Sequence, residues 1–420
     1  MPNISLNSEI GRLSKVIIHE PGQEIENMTL ATAAESLYDD LLYLPRALKE
    51  HRQLTAVLRQ TVPEVYELAD LLADVLGDSE VKRRLVERLC ALHQAGEMAD
   101  ELVDLPAPML ARQLFEGTPL RRDTLSKFLR PSPYALPPLP NTFFMRDATM
   151  CVNDRVIIGS MAKTARISEA LLLRAIFNNH PEFQGAGYYF DGTQNHRDPG
   201  TPAVTIEGGD VLVIREDLLV IGYSERTSVA GIDMLLQTLA QAGKVRHVIV
   251  LEIPKTRATI HLDMIFTMID RDRCVIYEPL ITGDRSCPCM HVEFDGDRIG
   301  NIHRHPNLIQ ALDSVGVPLL PILCGGSDPV TQDREQWFSG ANFFALAPGK
   351  IIGYNRSRAT FQELERAGYP TIQATDVMAG LVHLDQYEKC AVAMSGSELS
   401  RGGGGCRCMT LPVSREPVSS

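Results

Sequence analysis

Four segments of the chain share one pattern of hydrophobic and polar positions. In each, a polar residue leads into a short apolar run, a tight polar turn and a second apolar run that ends near Gly or Tyr. Apolar, β-rich runs on either side of turn-forming residues predict hairpins. The residues that lead into the four predicted hairpins are Asp147, Glu207, His261 and Asn342.

Two runs near the ends of the chain each resemble half of such a unit. Residues 13–19 are predicted to form a strand that lacks the first strand of its hairpin. Residues 409–413 are predicted to form a strand that lacks the second. Pairing these two runs would supply a fifth unit and close a ring, and repeats at such periods are typical of propeller-like arrays. We therefore predict a five-unit α/β array; the alternative is that the hairpins are common motifs without a repeat relationship.

Segments whose apolar residues have helical spacing lie between the predicted hairpins. This spacing predicts helices over 167–178 and 231–243, and Thr227 or Ser228 is placed to cap the second.

One stretch does not fit the repeat. Residues 69–130 have a helical pattern throughout, with Ser79 as a predicted cap, and a proline-rich segment then ends the pattern. We interpret 69–130 as a helical insertion, and 1–68 together with 131–420 as the catalytic α/β domain.

Composition narrows the classes of partner and compartment. The chain has 420 residues, 44% hydrophobic and 22% charged, which is ordinary for a globular protein. A net charge of -12 argues against nucleic acid or an anionic membrane as the main partner. The nine cysteines show no disulfide framework, so we expect a cytoplasmic protein. The Cys-x-Cys pairs lack the usual zinc spacing, so we expect no metal site.

The first candidate catalytic residue is Cys408, which closely follows a run of four glycines. Such a run lets the backbone approach a ligand closely, so Cys408 is a candidate nucleophile. If 260–268 is extended, His261 and Asp263 lie on one face of a strand, where both need partners. The alternative is a buried histidine that is satisfied by a carboxylate.

Two more carboxylates occupy equivalent positions. Glu207 precedes two glycines and Asp147 opens the first hairpin; taken singly, each fits a glycine-rich or solvated turn. Together with Cys408 and His261, these carboxylates suit a guanidinium substrate. Carboxylates accept paired hydrogen bonds from the guanidinium, a thiolate attacks its central carbon, and a histidine protonates the departing nitrogen and then activates water.

These residues lie in motifs that resemble arginine deiminase over almost the whole chain. The motifs are 8–16, 144–147, 207–210, 222–227, 261–263, 266–268, 334–337, 396–399 and 402–409. The resemblance implies a five-fold pseudosymmetric α/β propeller, or pentein fold, with a helical insertion. It also implies hydrolysis of L-arginine to L-citrulline and ammonia without a metal or organic cofactor, by a homo-oligomer.

The resemblance also assigns roles to residues. Cys408 is the nucleophile that forms a covalent amidino-thioether, and His261 is general acid and then general base. Glu207 orients His261, while Asp147 and Asp263 clamp the guanidinium nitrogens. The substrate-binding residues that it implies are Asn141, Phe144, Arg166, Arg226 and Arg401, of which Arg166 and Arg226 bind the substrate carboxylate.

The final loop departs from the family pattern. The family usually has a second arginine where this chain has Gly403, which predicts an altered affinity or specificity. Cys406, two residues before the predicted nucleophile, is also unusual. It is either a small loop residue or a resolving thiol for Cys408, although a pair separated by one residue is strained.

Three alternative functions remain open at this stage. An amidinotransferase uses the same chemistry but passes the amidino group to an amine. A deiminase could act on another guanidino compound, although Arg166 and Arg226 favour a substrate with a carboxylate over agmatine. A catalytically silent guanidino-binding protein is the third.

Overall fold

A computed structural model describes residues 4–194 and 203–418 as a mixed α/β protein. Its strands are β1 Leu13–Ile18, β2 Glu64–Glu67, β3 Thr118–Pro119, β4 Tyr134–Leu136, β5 Thr149–Val152, β6 Arg155–Ile158, β7 Gly187–Asp191, β8 Val211–Arg215, β9 Leu218–Tyr223, β10 His247–Glu252, β11 Phe266–Met268, β12 Arg273–Ile276, β13 Cys289–Asp295, β14 Arg298–His305, β15 Leu320–Leu323, β16 Phe344–Ala347, β17 Lys350–Tyr354, β18 Thr371–Gln373, β19 Cys390–Met394 and β20 Leu411–Arg415.

Helices lie between the strands. They are α1 Gln23–Glu26, α2 Leu30–Ala33, α3 Leu44–Thr61, α4 Leu68–Val75, α5 Ser79–Leu92, α6 Ala99–Val103, α7 Ala107–Glu116, α8 Leu125–Phe128, α9 Ile167–Asn179, α10 Val229–Ala242, α11 Glu278–Ile281, α12 Leu308–Ser314, α13 Pro329–Trp337, α14 Arg358–Arg366 and α15 Ala374–Met378. Within the described ranges, no helix combines the length and the apolar composition that crossing a membrane requires.

The four predicted hairpins are confirmed by their registers. β5 pairs with β6, β8 with β9, β11 with β12 and β16 with β17, all antiparallel. The two chain-end strands also pair as predicted, because β1 runs antiparallel to β20.

Each hairpin is extended in the same way. Its second strand pairs in parallel with a later strand: β6 with β7, β9 with β10, β12 with β15 and β17 with β19. β1 likewise pairs in parallel with β2. Parallel neighbours need a crossover connection, and α9, α10, α12, α14 and α3 lie in these five crossovers. A hairpin followed by a helix and a parallel strand therefore recurs along the chain.

Three local predictions need correction. Asp78, not Ser79, caps α5, since its carboxylate accepts the N–H groups of Glu80 and Val81. Residues 69–130 are not helical throughout, because β3 pairs antiparallel with β4. The segment that begins at His261 is not extended at first, because residues 262–264 form a 3₁₀ turn before β11.

Two segments of the site adjoin the sheet of order β14-β13-β10-β9-β8, because Glu207 leads into β8 and Arg226 follows β9. In β10, Val248 and Val250 pack into one hydrophobic cluster while Ile249 and Leu251 pack into another. A strand that is buried on both faces reads as a continuous apolar run. Its position is therefore fixed from both sides, which holds the polar residues at the strand ends in place.

Candidate active site

A cavity lies where the final loop meets the residues that lead into the hairpins. Seven of the ten predicted site residues line it: Asn141, Phe144, Asp147, Arg166, Arg226, His261 and Cys408. Glu207 and Asp263 do not line the cavity themselves. Glu207 contacts His261, and Asp263 contacts Cys408. The tenth, Arg401, lies apart.

Cys408 is held by backbone and side-chain contacts of its loop. Asn342 Oδ1 accepts the N–H groups of Arg407 at 2.9 Å and Cys408 at 3.3 Å, and Asn342 Nδ2 lies 3.2 Å from the Cys408 Sγ. A Cβ on Gly404 would lie 2.5 Å from the Phe144 ring, so this position has no room for a side chain. Asn342 was predicted only to lead into a hairpin; its contacts make it a positioning residue that the sequence pattern marked but did not explain.

His261 lies between two carboxylates. Its Nε2 is 2.9 Å from Glu207 Oε2, and its Nδ1 is 3.6 Å from Asp147 Oδ1. Gly209 makes room for the ring, since a Cβ there would come within 2.6 Å of it. Burial alone would lower the pKa of His261, but Asp147, Glu207 and Asp210 outweigh it and raise the pKa to about 9. His261 is therefore cationic near neutral pH and is able to donate a proton.

Two buried carboxylates have oxygens without donors. Asp147 Oδ1 and Asp263 Oδ1 have no hydrogen-bond partner within the described part of the chain. Their other oxygens are occupied: Asp147 Oδ2 accepts from Arg166, and Asp263 Oδ2 accepts from Arg407 Nη1 at 2.9 Å. A buried acceptor without a donor is costly, so its persistence is typical of a site that binds a donor-rich ligand.

The thiol of Cys408 is protonated in this arrangement. Burial raises its pKa well above the ordinary value, and the charges of Asp263 and Asp147 add to the effect. Asp263 Oδ2 lies 3.6 Å from Sγ. A cation bound beside these carboxylates would offset their charges and favour the thiolate.

Of the two arginines predicted to bind a carboxylate, Arg166 is already paired. It is buried, and it donates to Asp147 and to Glu169, with Nη2 2.7 Å from Glu169 Oε2. Arg226 is less engaged: its Nη1 lies 3.7 Å from Glu207 Oε2, and its buried Nε lies 3.9 Å from Glu225 Oε1 and makes no hydrogen bond within the described residues. Of the two, Arg226 is therefore the better placed to accept a new anionic partner.

Arg401 does not reach the cavity. It donates to Glu398 at 2.8 Å and to Asp40, and it lies over a neighbouring surface depression. A substrate-binding role for Arg401 is therefore not supported by its position.

Arg257 lines the cavity where Arg401 does not, and sequence reasoning missed it. Its Nη2 lies 3.4 Å from the point that a Cβ of Gly403 would occupy. Its Nε donates to Asp39 at 2.9 Å and its Nη2 donates to the carbonyl of Leu37 at 2.9 Å. A guanidinium thus lies against Gly403, the position where the resemblance leads us to expect an arginine. Gly403 itself has φ +86°, a conformation that favours glycine.

Comparison with known families decides the assignment. The arginine deiminase family model matches residues 35–415. The chain belongs to the arginine deiminase family. Arginine deiminases of Rhodococcus opacus (strain B4) and Oenococcus oeni are 34% and 32% identical to it, each over 99% of this chain and 98% of the relative. The chain is therefore a hydrolase of a family that acts on the guanidino group of arginine, as its motifs predicted.

Solved structures with low sequence identity share the fold. SxtG, an amidinotransferase from Microseira wollei in the saxitoxin biosynthetic pathway, aligns with TM-score 0.55 at 13% identity over 99% of this chain and 98% of its own. The N-terminal domain of ArgZ, an arginine dihydrolase from cyanobacteria, aligns with TM-score 0.52 at 14% identity over 96% and 98%. At these identities the comparison establishes a shared mixed α/β fold and leaves the reaction to the site.

Proposed function

We propose that this member of the arginine deiminase family hydrolyses free L-arginine to L-citrulline and ammonia through a covalent intermediate on Cys408. The observation that carries the proposal is the pair of buried, donorless oxygens on Asp147 and Asp263 beside the thiol and His261. A planar guanidinium supplies the missing N–H donors and places its central carbon within reach of the sulfur.

The first half of the reaction builds the intermediate. The Cys408 thiolate attacks the guanidinium carbon and forms an S–C bond. Cationic His261 gives its proton to one terminal nitrogen, which leaves as ammonia when its C–N bond breaks. An amidino-thioether that carries the rest of the arginine stays on Cys408, and His261 is left neutral.

The second half restores the free thiolate. Neutral His261 takes a proton from water while the water oxygen attacks the same carbon. The C–S bond then breaks, and the carbon keeps the oxygen as the carbonyl of citrulline. The proton released at this step balances the formation of ammonium. Glu207 stabilises the cationic form of His261 in both halves.

Substrate binding would itself form the nucleophile, because the bound cation favours release of the Cys408 thiol proton to solvent, and the thiolate takes up a proton again when the product leaves. The raised pKa of Cys408 arises from burial and from two carboxylates that a guanidinium would neutralise. Titrating the thiol by its thiolate absorbance, with and without an unreactive guanidino ligand, tests this step. A pKa that the ligand leaves unchanged would contradict it.

A carboxylate-bearing substrate fits the arginines of the cavity. Arg226 Nε makes no hydrogen bond within the described residues, and the partly exposed Arg257 lines the same cavity. Arg166 would have to exchange part of its pairing with Asp147 for the substrate, after which Asp147 is free to bind the guanidinium. Asn141 and Phe144 would line the pocket, and no cofactor takes part.

The recurring hairpin–helix–strand unit supports a finer description of the fold. We take its five occurrences as the units of a five-fold pseudosymmetric pentein propeller closed by β1 and β20, with 69–130 as a helical insertion. The resemblance to the family further leads us to propose a cytoplasmic homo-oligomer.

Product analysis with arginine as the sole substrate tests the proposed reaction. We expect citrulline and ammonia in a ratio of one to one, no turnover by Cys408→Ala, and little turnover of agmatine, which lacks the carboxylate. Ornithine formation, or a requirement for an amine acceptor, would instead indicate dihydrolase or amidinotransferase chemistry.

A further inference from the structure

A cluster of histidines lies on the sheet β14-β13-β10, outside the candidate active site. His291 in β13 is directly opposite His303 in β14, and Glu293 in β13 is directly opposite His247 in β10. Side chains of directly paired residues share a face of a sheet, and so do residues two apart in one strand. The register therefore places all four side chains on one face.

Three of these side chains bring their ligand atoms together. His247 Nδ1 lies 3.0 Å from His291 Nε2, and His291 Nε2 lies 4.0 Å from Glu293 Oε1. The ligand atoms of all three residues lie within 4.8 Å of one another. Two nitrogens bound to one tetrahedral zinc ion are about 3.3 Å apart, given Zn–N bonds of about 2.0–2.1 Å. The set therefore needs only small rotamer changes to surround an ion.

The surroundings favour a metal ligand over an ordinary hydrogen-bonded pair. His291 is buried, with a relative exposure of 4%, so an ion bound at its imidazole would be shielded from bulk water. The register of β13 and β14 shifts between the pairs Val292–Ile302 and Phe294–Ile299, so the ladder is interrupted beside Glu293. His303 Nε2 lies 3.8 Å from Glu293 Oε2, within reach of a fourth position.

We propose that His247, His291 and Glu293 bind one divalent transition-metal ion, zinc by preference, with His303 or water as the fourth ligand. Two imidazoles and a carboxylate match the ligand chemistry of zinc. The ion would join β10 to β13, and with His303 as the fourth ligand it would also fasten β14, which lies at the edge of its sheet. The role is structural and is separate from the reaction at Cys408.

Zinc binding by the chelator-treated full-length protein tests the proposal. Bound zinc is counted by mass spectrometry of the metal, and affinity is measured by competition with a chromophoric chelator. We expect one tight zinc per chain in the wild type and at least tenfold weaker binding in His247→Asn and Glu293→Gln. Both residues are partly exposed, so these variants should fold even if His291→Asn does not. Zinc should also raise the melting temperature of the wild type by a few degrees but not that of His247→Asn.

Two control variants separate this site from other sources of binding. His383→Asn removes a histidine outside the cluster, and His261→Asn disrupts the acidic cluster of the active site. Both should bind zinc like the wild type. The proposal is overturned if the wild type binds no zinc, if His247→Asn and Glu293→Gln bind it as tightly as the wild type, or if binding is lost in His261→Asn alone.

Discussion

The charge of His261 depends on its neighbours. Burial opposes a cationic imidazole, while Asp147, Glu207 and Asp210 favour it strongly enough to bring the pKa to about 9. A general acid must be protonated to act, so the acid form is available below pH 9 and is lost above it. The position of the alkaline limb of the pH–rate profile therefore measures how far these carboxylates raise the pKa of His261.

Glu207→Gln should shift the alkaline limb of the pH–rate profile to lower pH. Without the negative charge of Glu207, the pKa of His261 falls from about 9 towards its ordinary value of 6.5. We expect the alkaline limb of kcat to shift to lower pH and the rate at neutral pH to fall at least about tenfold. Glu335→Gln, which changes a buried carboxylate that binds the start of α14, is the matched control and should leave the limb in place. An unchanged limb in Glu207→Gln would show that His261 is not the titrating acid.

Arg257 and Arg401 allow a matched test at the cavity entrance. Arg257 lines the cavity and Arg401 does not. Because Arg257 is about a third exposed, with a side-chain exposure of 32%, its contribution is screened by solvent. We expect Arg257→Ala to raise KM for arginine about three- to tenfold with little change in kcat, and Arg257→Lys to recover part of the loss. Arg401→Ala should change KM less than Arg257→Ala; the reverse order would restore the family-based prediction.

Sequence reasoning was effective for residues whose chemistry coincides with a strand end. Cys408 and Glu207 were predicted because each adjoins glycines, and His261 was predicted because it shares one face of an apolar segment with Asp263. The structure brings all three together. Arg257 could not be found in this way, because its position depends on how separate loops meet around Gly403. Arg401 was assigned by family pattern, and ion pairs with Asp40 and Glu398 hold it elsewhere.

At the scale of elements, the loop at 402–408 is shaped by what it packs against. Glycine permits close approach of the backbone to a ring, and Gly404 uses this against Phe144. The thiol is thereby positioned by contacts made several residues before it. A small displacement of the loop would misplace the sulfur relative to the substrate carbon.

Gly404→Ala tests this positioning. The added methyl would lie 2.5 Å from the Phe144 ring, so the loop or the ring must move. We expect kcat to fall by about 10²-fold, the cost typical of a displacement near 1 Å, while the melting temperature changes little. Gly96→Ala, at a glycine with open space around it, is the control and should be neutral. Full activity in Gly404→Ala would mean that the packing of this loop does not position the nucleophile.

Secondary structure was predicted correctly where the hydrophobic pattern is compatible with only one kind of element. Two apolar runs around a turn can bury their side chains as a hairpin, and four such pairs are confirmed. The segment after His261 has alternating side chains that suit a strand or a 3₁₀ turn equally. The hydrogen bond from the Leu262 N–H to Asp210 Oδ1, 52 residues away, accompanies the turn, and this contact cannot be read from local spacing.

At the scale of the whole molecule, segments near the two ends of the chain meet beside the nucleophile. β1 pairs with β20, and Glu9 binds Arg407 through two hydrogen bonds of 2.9 and 3.1 Å. Arg407 in turn holds Asp263. The predicted pairing of the chain ends is confirmed, whereas the histidine cluster was not predicted, because its members come from three strands that only the sheet register brings together.

Glu9→Gln should weaken this closure in a pH-dependent way. Burial alone would raise the pKa of Glu9, but Arg407 and Arg146 outweigh it and lower the pKa from 4.5 to about 2. The ionised group therefore stabilises the fold fully above pH 4.5, by about 3 kcal/mol, and this contribution is lost as the pH falls towards 2.

Thermal unfolding at several pH values measures this effect. Glu9→Gln should melt below the wild type at pH 7, and the difference should shrink as the pH falls below 4.5. Glu20→Gln, which alters an exposed pair with Arg52, should cost no more than about 1 kcal/mol. A difference for Glu9→Gln that is the same at every pH would contradict the ionic explanation.

The central claim is that Cys408 carries the substrate through the reaction. Rapid acid quenching of the protein during turnover of arginine, followed by mass spectrometry of the intact chain and its peptides, tests this most directly. We expect a mass increase on the peptide of Cys408 equal to arginine less ammonia, which is absent in Cys408→Ala. An adduct equal to the amidino group alone would indicate transfer chemistry, and turnover by Cys408→Ala would contradict the account.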